Sequence, residues 1–170
     1  ATSNQYKIQA MKERLKGEEI EIISPKDLNI EIEVDENGTT VTENAILKAN
    51  AYYNIAKIPT IAGDSALYIE EFEKQPGLYI HRIEGKVLTM EETQEYYVKA
   101  LKEIGGESEA YYYTGLAIIK DEKIYTKEIK EDTFIFTSNI CDKPAKYDAL
   151  SRIQYDPKLK KYICELTEKE

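Results

Sequence analysis

Tryptophan is absent from this sequence, histidine occurs once and cysteine twice. A lone His81 argues against a histidine-based catalytic triad and against a multi-histidine metal centre. Its expected place is an ordinary loop after Pro76 and Gly77. Cys141 and Cys164 form no C-x-x-C pair and no secretory leader is visible. Two reduced thiols in a cytoplasmic protein are therefore expected, rather than a disulfide framework or a structural zinc site. No apolar run approaches the roughly 20 residues that cross a bilayer, so no membrane partner is expected. Internal repeats, low-complexity runs and Gly/Ser/Pro-rich linkers are also missing, which leaves nothing to divide the chain.

Positive charge is in deficit. Twenty-three basic against 32 acidic residues give a net charge of −9. Such a chain repels phosphate backbones at long range, which speaks against DNA or RNA as a partner. A small phosphorylated ligand gripped by a few local lysines remains compatible with it. What is present is 170 residues, 42% apolar and 32% charged. These are the proportions of a soluble globular protein, and the length is that of one domain covering residues 1–170.

Periodicity indicates mixed helix and strand. In residues 4–16, Ile8, Met11 and Leu15 recur at helical spacing before Gly17. Ile20, Ile22 and Ile23 read as a short strand, and residues 30–34 alternate apolar and acidic as a half-wet strand would. Thr40 and Glu43 have capping-box spacing, and Ala45, Ala49, Tyr52 and Ala56 then line one face of a helix reaching about Lys57. Residues 60–62 and 66–72 read as two buried strands with Gly63-Asp64-Ser65 between them. Residues 94–104 look helical, and residues 111–119 and 123–129 form a hairpin around Asp121-Glu122. Residues 162–166 are a late strand candidate, while residues 132–152 carry little signal.

Three clusters could carry chemistry. Thr2, Ser3 and Asn4 open a helix, whose free N–H groups and positive end suit phosphate oxygens, and Lys7 would add a full charge. Glu33, Asp35 and Glu36 precede the capped helix, and Asp64-Ser65 sits among apolar residues. Breaking a phosphoanhydride requires charge neutralisation, a metal bridging oxygens and an oriented water. Glu36 and Asp64 are carboxylates of the kind Mg²⁺ prefers. Each cluster also has a plain structural reading. Ser3 or Asn4 can simply cap a helix, the acidic turn can be solvated, and the Tyr111-Tyr112-Tyr113 run is better explained by packing than by base stacking.

In order, these segments resemble the inosine triphosphate pyrophosphatases, the Ham1-like non-canonical purine nucleotide pyrophosphatases. Ala1-Thr2-Ser3-Asn4 with Lys7 is similar to that family's A-T-x-N-x-x-K. Glu36 to Ala49 is similar to E-x-G-x-T-x-x-E-N-A-x-x-K-A. Pro59 to Leu67 is similar to P-x-x-A-D-D-S-G-L, with Gly63 standing where the first aspartate would be. Pro76-Gly77-Leu78-Tyr79 with Arg82 resembles P-G-x-Y-S-A-R, and Tyr155-Asp156-Pro157 resembles F-G-Y-D-P, with Ile153 at the aromatic position.

The resemblance implies an α/β fold: a long twisted mixed sheet flanked by helices, with two lobes around a central nucleotide cleft. It implies hydrolysis of purine nucleoside triphosphates such as ITP, dITP and XTP to the monophosphate and pyrophosphate. Asp64 and Lys7 are then catalytic, Glu36 and Asp64 hold Mg²⁺ or Mn²⁺, and Thr2, Ser3, Asn4, Lys7, Ser65, Arg82, Ile153, Tyr155 and Asp156 contact substrate. A homodimer is expected, and both ends of the chain look trimmed against the family pattern. Two other classes compete: a divergent nucleotide-binding protein without catalysis, and a plain acidic interaction domain.

Overall fold

A computed structural model describes Thr2, residues 5–146 and residues 148–167. Ser3 and Asn4 lie outside the described residues, as does the side chain of Lys7. The elements are α1 (Gln5–Arg14), α2 (Val41–Ala56), β1 (Thr60–Ile69), β2 (Gln75–Gly77), β3 (Arg82–Ile83), β4 (Lys86–Val87), α3 (Met90–Glu103), β5 (Glu107–Lys120), β6 (Lys123–Lys130), β7 (Phe134–Thr137), β8 (Gln154–Asp156) and β9 (Lys161–Tyr162). The expected α/β class holds, with a seven-stranded sheet and flanking helices. No helix among the described residues is long and apolar enough to cross a membrane.

The chain divides into two compact units, residues 1–65 with 114–129, and residues 66–113 with 130–170. β1 and β5 contribute residues to both. In the first unit α2 packs its small side chains, Ala45 and Ala49, against Ala62 of β1 and Ala117 and Ile119 of β5. Small residues on both sides let helix and sheet approach closely, which aligns later positions of the helix with the polar middle of β1. Gly115 sharpens that approach. A Cβ there would lie 2.6 Å from the Val41 carbonyl carbon and 2.7 Å from the Thr42 nitrogen, so β5 meets the first turn of α2 backbone to backbone. β5 returns as β6 through Asp121 and Glu122, both with positive φ, the two-residue turn that suits strand twist.

In the second unit the sheet runs β2-β1-β5-β7-β8-β9, and β2–β1, β5–β7, β7–β8 and β8–β9 pair antiparallel. Leu67 and Ile69, Tyr97 and Leu101 of α3, Phe134 and Phe136 of β7, Leu150 and Ile153 form its core. Tyr112 packs against this core, its hydroxyl accepting the Gln154 amide N–H at 2.7 Å. Burial pushes its phenol well above the ordinary value. Tyr111 instead stacks on Tyr68 at 5.3 Å between centroids, with the Lys130 ammonium 4.0 Å from its ring. Two members of the tyrosine run, Tyr111 and Tyr112, thus pack against other side chains of the protein.

Several sequence readings need correction. Residues 20–23 and 30–34 belong to no strand, although exposure does alternate from Ile30 to Val34. Alternation reports which side is wet, while a strand also needs a ladder partner, and that partner is nonlocal information. Residues 60–62 and 66–72 are not two strands. β1 runs unbroken through Gly63-Asp64-Ser65 and gives way at Glu70–Phe72 to a 3₁₀ turn. The third helix begins four residues earlier than periodicity indicated, because Thr89 and Glu92 form a complete capping box. Of the late strand candidate, residues 162–166, only Tyr162 is strand, as the second residue of β9, and Ile163–Glu165 is a 3₁₀ turn.

Gly115→Ala should cost about 1–3 kcal/mol through overpacking, because the atoms it meets are backbone and cannot rotate away. A urea melt measures this, and an unchanged midpoint would show that the helix is free to retreat. Both cysteines are free. Burial, then a hydrogen bond with Cys141, raises the Cys164 thiol to about 11. Because only the thiolate reacts, its labelling should be slow at neutral pH and rise by roughly tenfold per pH unit above it. Peptide-resolved alkylation followed by mass spectrometry reads that slope; a rate already maximal at pH 8 would contradict the shift.

Candidate functional site

The polar centre of the first unit is built from three short stretches of chain. Thr40 caps α2, its hydroxyl accepting the Glu43 N–H at 3.1 Å. The Glu43 carboxylate reaches back one residue further than a capping box requires, to the Thr39 N–H at 2.6 Å and the Thr39 hydroxyl at 2.8 Å. Those bonds to Thr39, backbone first, lower the Glu43 pKa. The cap fixes where the helix begins, and hence which residues of α2 face β1.

Asn44 and Lys48 lie four apart on α2, so they share a face, and that face meets Asp64 in the middle of β1. The Asn44 amide donates to Asp64 Oδ2 at 3.1 Å, and the Lys48 ammonium donates to Asp64 Oδ1 at 2.8 Å. The same ammonium lies 2.8 Å from Glu36 Oε2. Asn44 Oδ1 accepts the Gly38 N–H at 2.8 Å, which ties the Glu36 loop to the helix. A Cβ on Gly38 would come within 2.7 Å of both Asn44 Oδ1 and Glu43 Cβ, so only glycine permits this closure. The result is a closed ring of contacts from Glu36 through Lys48, Asp64 and Asn44 back to Gly38.

The electrostatics follow from partial burial. The side chains of Lys48 and Asp64 are each 16% exposed and that of Glu36 is 32% exposed. Burial alone would lower the Lys48 pKa, but hydrogen bonds to Asp64 and Glu36 outweigh it, and the net value lies above that of an ordinary lysine. The ring explains how an aspartate sits inside a strand: α2 supplies its partners.

At the next position of β1, the hydroxyls of Ser65 and Thr114 are 3.0 Å apart. Gly63, where the related motif has an aspartate, faces Leu116, whose Cδ2 would be 3.1 Å from an added Cβ.

Each oxygen of the Glu36–Asp64 pair that contacts Lys48 lies 2.8 Å from one nitrogen, so the two are no farther apart than twice that distance. A cation already stands between them. Hard divalent ions such as Mg²⁺ commonly take one or two carboxylates and complete their shell with water and phosphate oxygens, and this pair fits that demand. Among the described residues, no three His, Cys, Asp or Glu side chains gather into a larger metal cage.

Of the other residues singled out by sequence, Thr2 is half-buried and lines a cavity of about 530 Å³ with Ile8, Ser24, Lys26, Glu31 and Glu33 in the first unit. Lys7 lies within α1. A second cavity of about 480 Å³ in this unit, walled by residues such as Met11, Leu15, Ile22, Tyr52, Ile61 and Ile118, offers a mainly apolar surface. It has little with which to grip phosphate.

Arg82, Ile153, Tyr155 and Asp156 belong to the second unit. Arg82 is exposed on β3. Ile153 is 0% exposed within the core, where its side chain packs and has no surface to offer a ligand. Tyr155 meets Tyr162 edge to face at 5.5 Å. Asp156 Oδ1 accepts the N–H groups of Lys158 and Leu159, closing the turn toward β9. His81 keeps its loop position, with Nδ1 3.0 Å from the Thr93 hydroxyl. Motif reading left Asn44 and Lys48 without a role, although their spacing of four on a capped helix places them on one face.

The Ham1 family model matches residues 1–170. The dITP/XTP pyrophosphatase of Thermoanaerobacter pseudethanolicus is 32% identical over 176 aligned residues, spanning 100% of this chain and 85% of that protein. The dITP/XTP pyrophosphatase of Aquifex aeolicus is 44% identical over a shorter stretch, 48% of this chain and 39% of that protein. Among solved structures, a HAM1 protein from Coxiella burnetii superposes with a TM-score of 0.82 at 24% identity, covering 99% of this chain and 86% of that one. The Staphylococcus aureus Ham1 protein gives 0.74 at 25% identity, covering 99% and 85%.

Asn44 is 4% exposed and holds both Gly38 and Asp64. Asn44→Ala leaves the half-buried Gly38 N–H without its acceptor and frees Asp64 Oδ2, and should lower stability by about 1–2 kcal/mol. Urea unfolding tests this, and a loss near zero would mean that the Glu36 loop does not depend on the helix.

Proposed function

Because the chain belongs to the Ham1 family, we propose that it hydrolyses purine nucleoside triphosphates of the dITP and XTP kind to the monophosphate and pyrophosphate, clearing non-canonical nucleotides from the pool. The observation that carries this reading is the Glu36–Lys48–Asp64 cluster, a paired carboxylate site with a lysine, on a chain whose relatives bear that name.

In this reading Thr2, Ser3, Asn4 and Lys7 hold the triphosphate through hydroxyl, amide, backbone N–H and ammonium donors at the start of α1. Glu36 and Asp64 hold Mg²⁺, with Mn²⁺ able to substitute; when bound, the ion neutralises charge on the phosphate oxygens. Asp64 orients a water and takes its proton as the water oxygen bonds to phosphorus. That phosphorus is the α-phosphorus, so the α–β anhydride bond breaks and its electron pair leaves with the departing pyrophosphate, while the water oxygen stays on the nucleoside monophosphate. Asn44 keeps the Asp64 carboxylate in its orientation throughout, because it bonds the oxygen that Lys48 does not. Ser65, the next residue of β1, offers a hydroxyl to substrate.

Asp64→Asn keeps the shape and removes the proton acceptor. Turnover of dITP or XTP with Mg²⁺ should fall by about 10²–10⁴ with a much smaller change in KM. Turnover equal to that of the unaltered protein would overturn the assignment of Asp64. Tight nucleotide binding without any product from the unaltered protein would place the chain in the non-catalytic class.

A further inference from the structure

The two carboxylates assigned to a metal already share a cation, and it is part of the protein. One ammonium bridges them, 2.8 Å from Glu36 Oε2 and 2.8 Å from Asp64 Oδ1, and so takes the space next to both oxygens. A divalent ion held by the same two oxygens needs that space, since its ligand distances are about 2.1 Å. Two cations cannot share it. We propose that Lys48 is a resident counter-ion that a divalent metal must displace to reach Glu36 and Asp64. This rests on the reading of those residues as the metal pair.

The surroundings suit an exchange of partners without collapse of the site. Asp64 is bound through different oxygens by its two α2 partners, Oδ1 by Lys48 and Oδ2 by Asn44. Oδ1 can therefore change partner while Asn44 still fixes the residue. The Glu36 loop has its own tether, the Gly38 N–H on Asn44. Lys48 hangs on a flexible four-carbon stem from a helix held by its cap and by the alanine face, so the ammonium can leave while its backbone stays. The cation also removes the repulsion that two part-buried carboxylates would otherwise feel in the metal-free protein. An ion pair with a purely structural role would make the opposite demand: losing it would loosen the carboxylates and weaken any metal bound there.

The test is Mn²⁺ binding to the full chain without nucleotide, read from the paramagnetic resonance signal of free Mn²⁺. The unaltered protein is compared with Lys48→Met, Lys48→Gln and Lys48→Arg, the paired neutral variants guarding against one that misfolds. Removing the competing charge should tighten Mn²⁺ binding by roughly tenfold or more in the Met and Gln variants. The Arg variant, which keeps the charge, should stay near the unaltered protein. Equal or weaker Mn²⁺ binding in both folded neutral variants would overturn the proposal while leaving the metal pair standing. Failure of every protein to bind Mn²⁺ at millimolar concentration would remove the metal pair itself, and the proposal with it.

Discussion

One ammonium between two carboxylates organises the first unit. Glu36 and Asp64 come from separate stretches of chain and carry like charge, so bringing them together in a partly buried place costs free energy unless a cation lies between them. Lys48 supplies it. Much else in this unit serves to put Lys48 in position: the Thr40 cap that sets the start of α2, the Ala45 and Ala49 face that seats the helix, and the bare backbone of Gly115 that lets the first turn touch β5. Asn44 completes the arrangement by holding Asp64 and the Glu36 loop at once.

The two units are stabilised differently. The second unit is conventional, with a continuous apolar core in which buried polar groups such as the Tyr97 hydroxyl, on the Ile80 carbonyl, have a single clear partner. The first packs its small side chains into an alanine-rich layer and places a polar network directly beside it. That division makes chemical sense. A chain carrying −9 overall presents an unfavourable field to a polyphosphate, so attraction has to come from local cations and donors held at fixed points.

What could be read in advance follows the range of the information. Local signals served well: the Thr40 cap, the Asp121-Glu122 turn and the alanine stripe of α2 are each encoded within a few residues. The Thr89–Glu92 box, which starts α3 four residues before its apolar periodicity does, is equally local. Pairing was not local. The alternation from Ile30 to Val34 is genuine as exposure and misleading as strand, because nothing in those five residues says whether a neighbour will supply the other half of a ladder. The continuity of β1 through Asp64 was hidden for the same reason, since the donors that make an aspartate tolerable there lie on a helix some 20 residues earlier. Motif likeness named Glu36 and Asp64 but gave no function to the two residues that join them. Ile153, expected among the substrate contacts, belongs to a core whose other members, Leu67 and Phe136 among them, come from distant strands.

The central claim is that this cluster serves the release of pyrophosphate from a nucleoside triphosphate. It is tested most directly by following dITP or XTP with Mg²⁺ and the unaltered protein by phosphorus NMR. Nucleoside monophosphate and inorganic pyrophosphate should appear together in equal amounts from the first turnovers. Nucleoside diphosphate with orthophosphate as the initial products would contradict it.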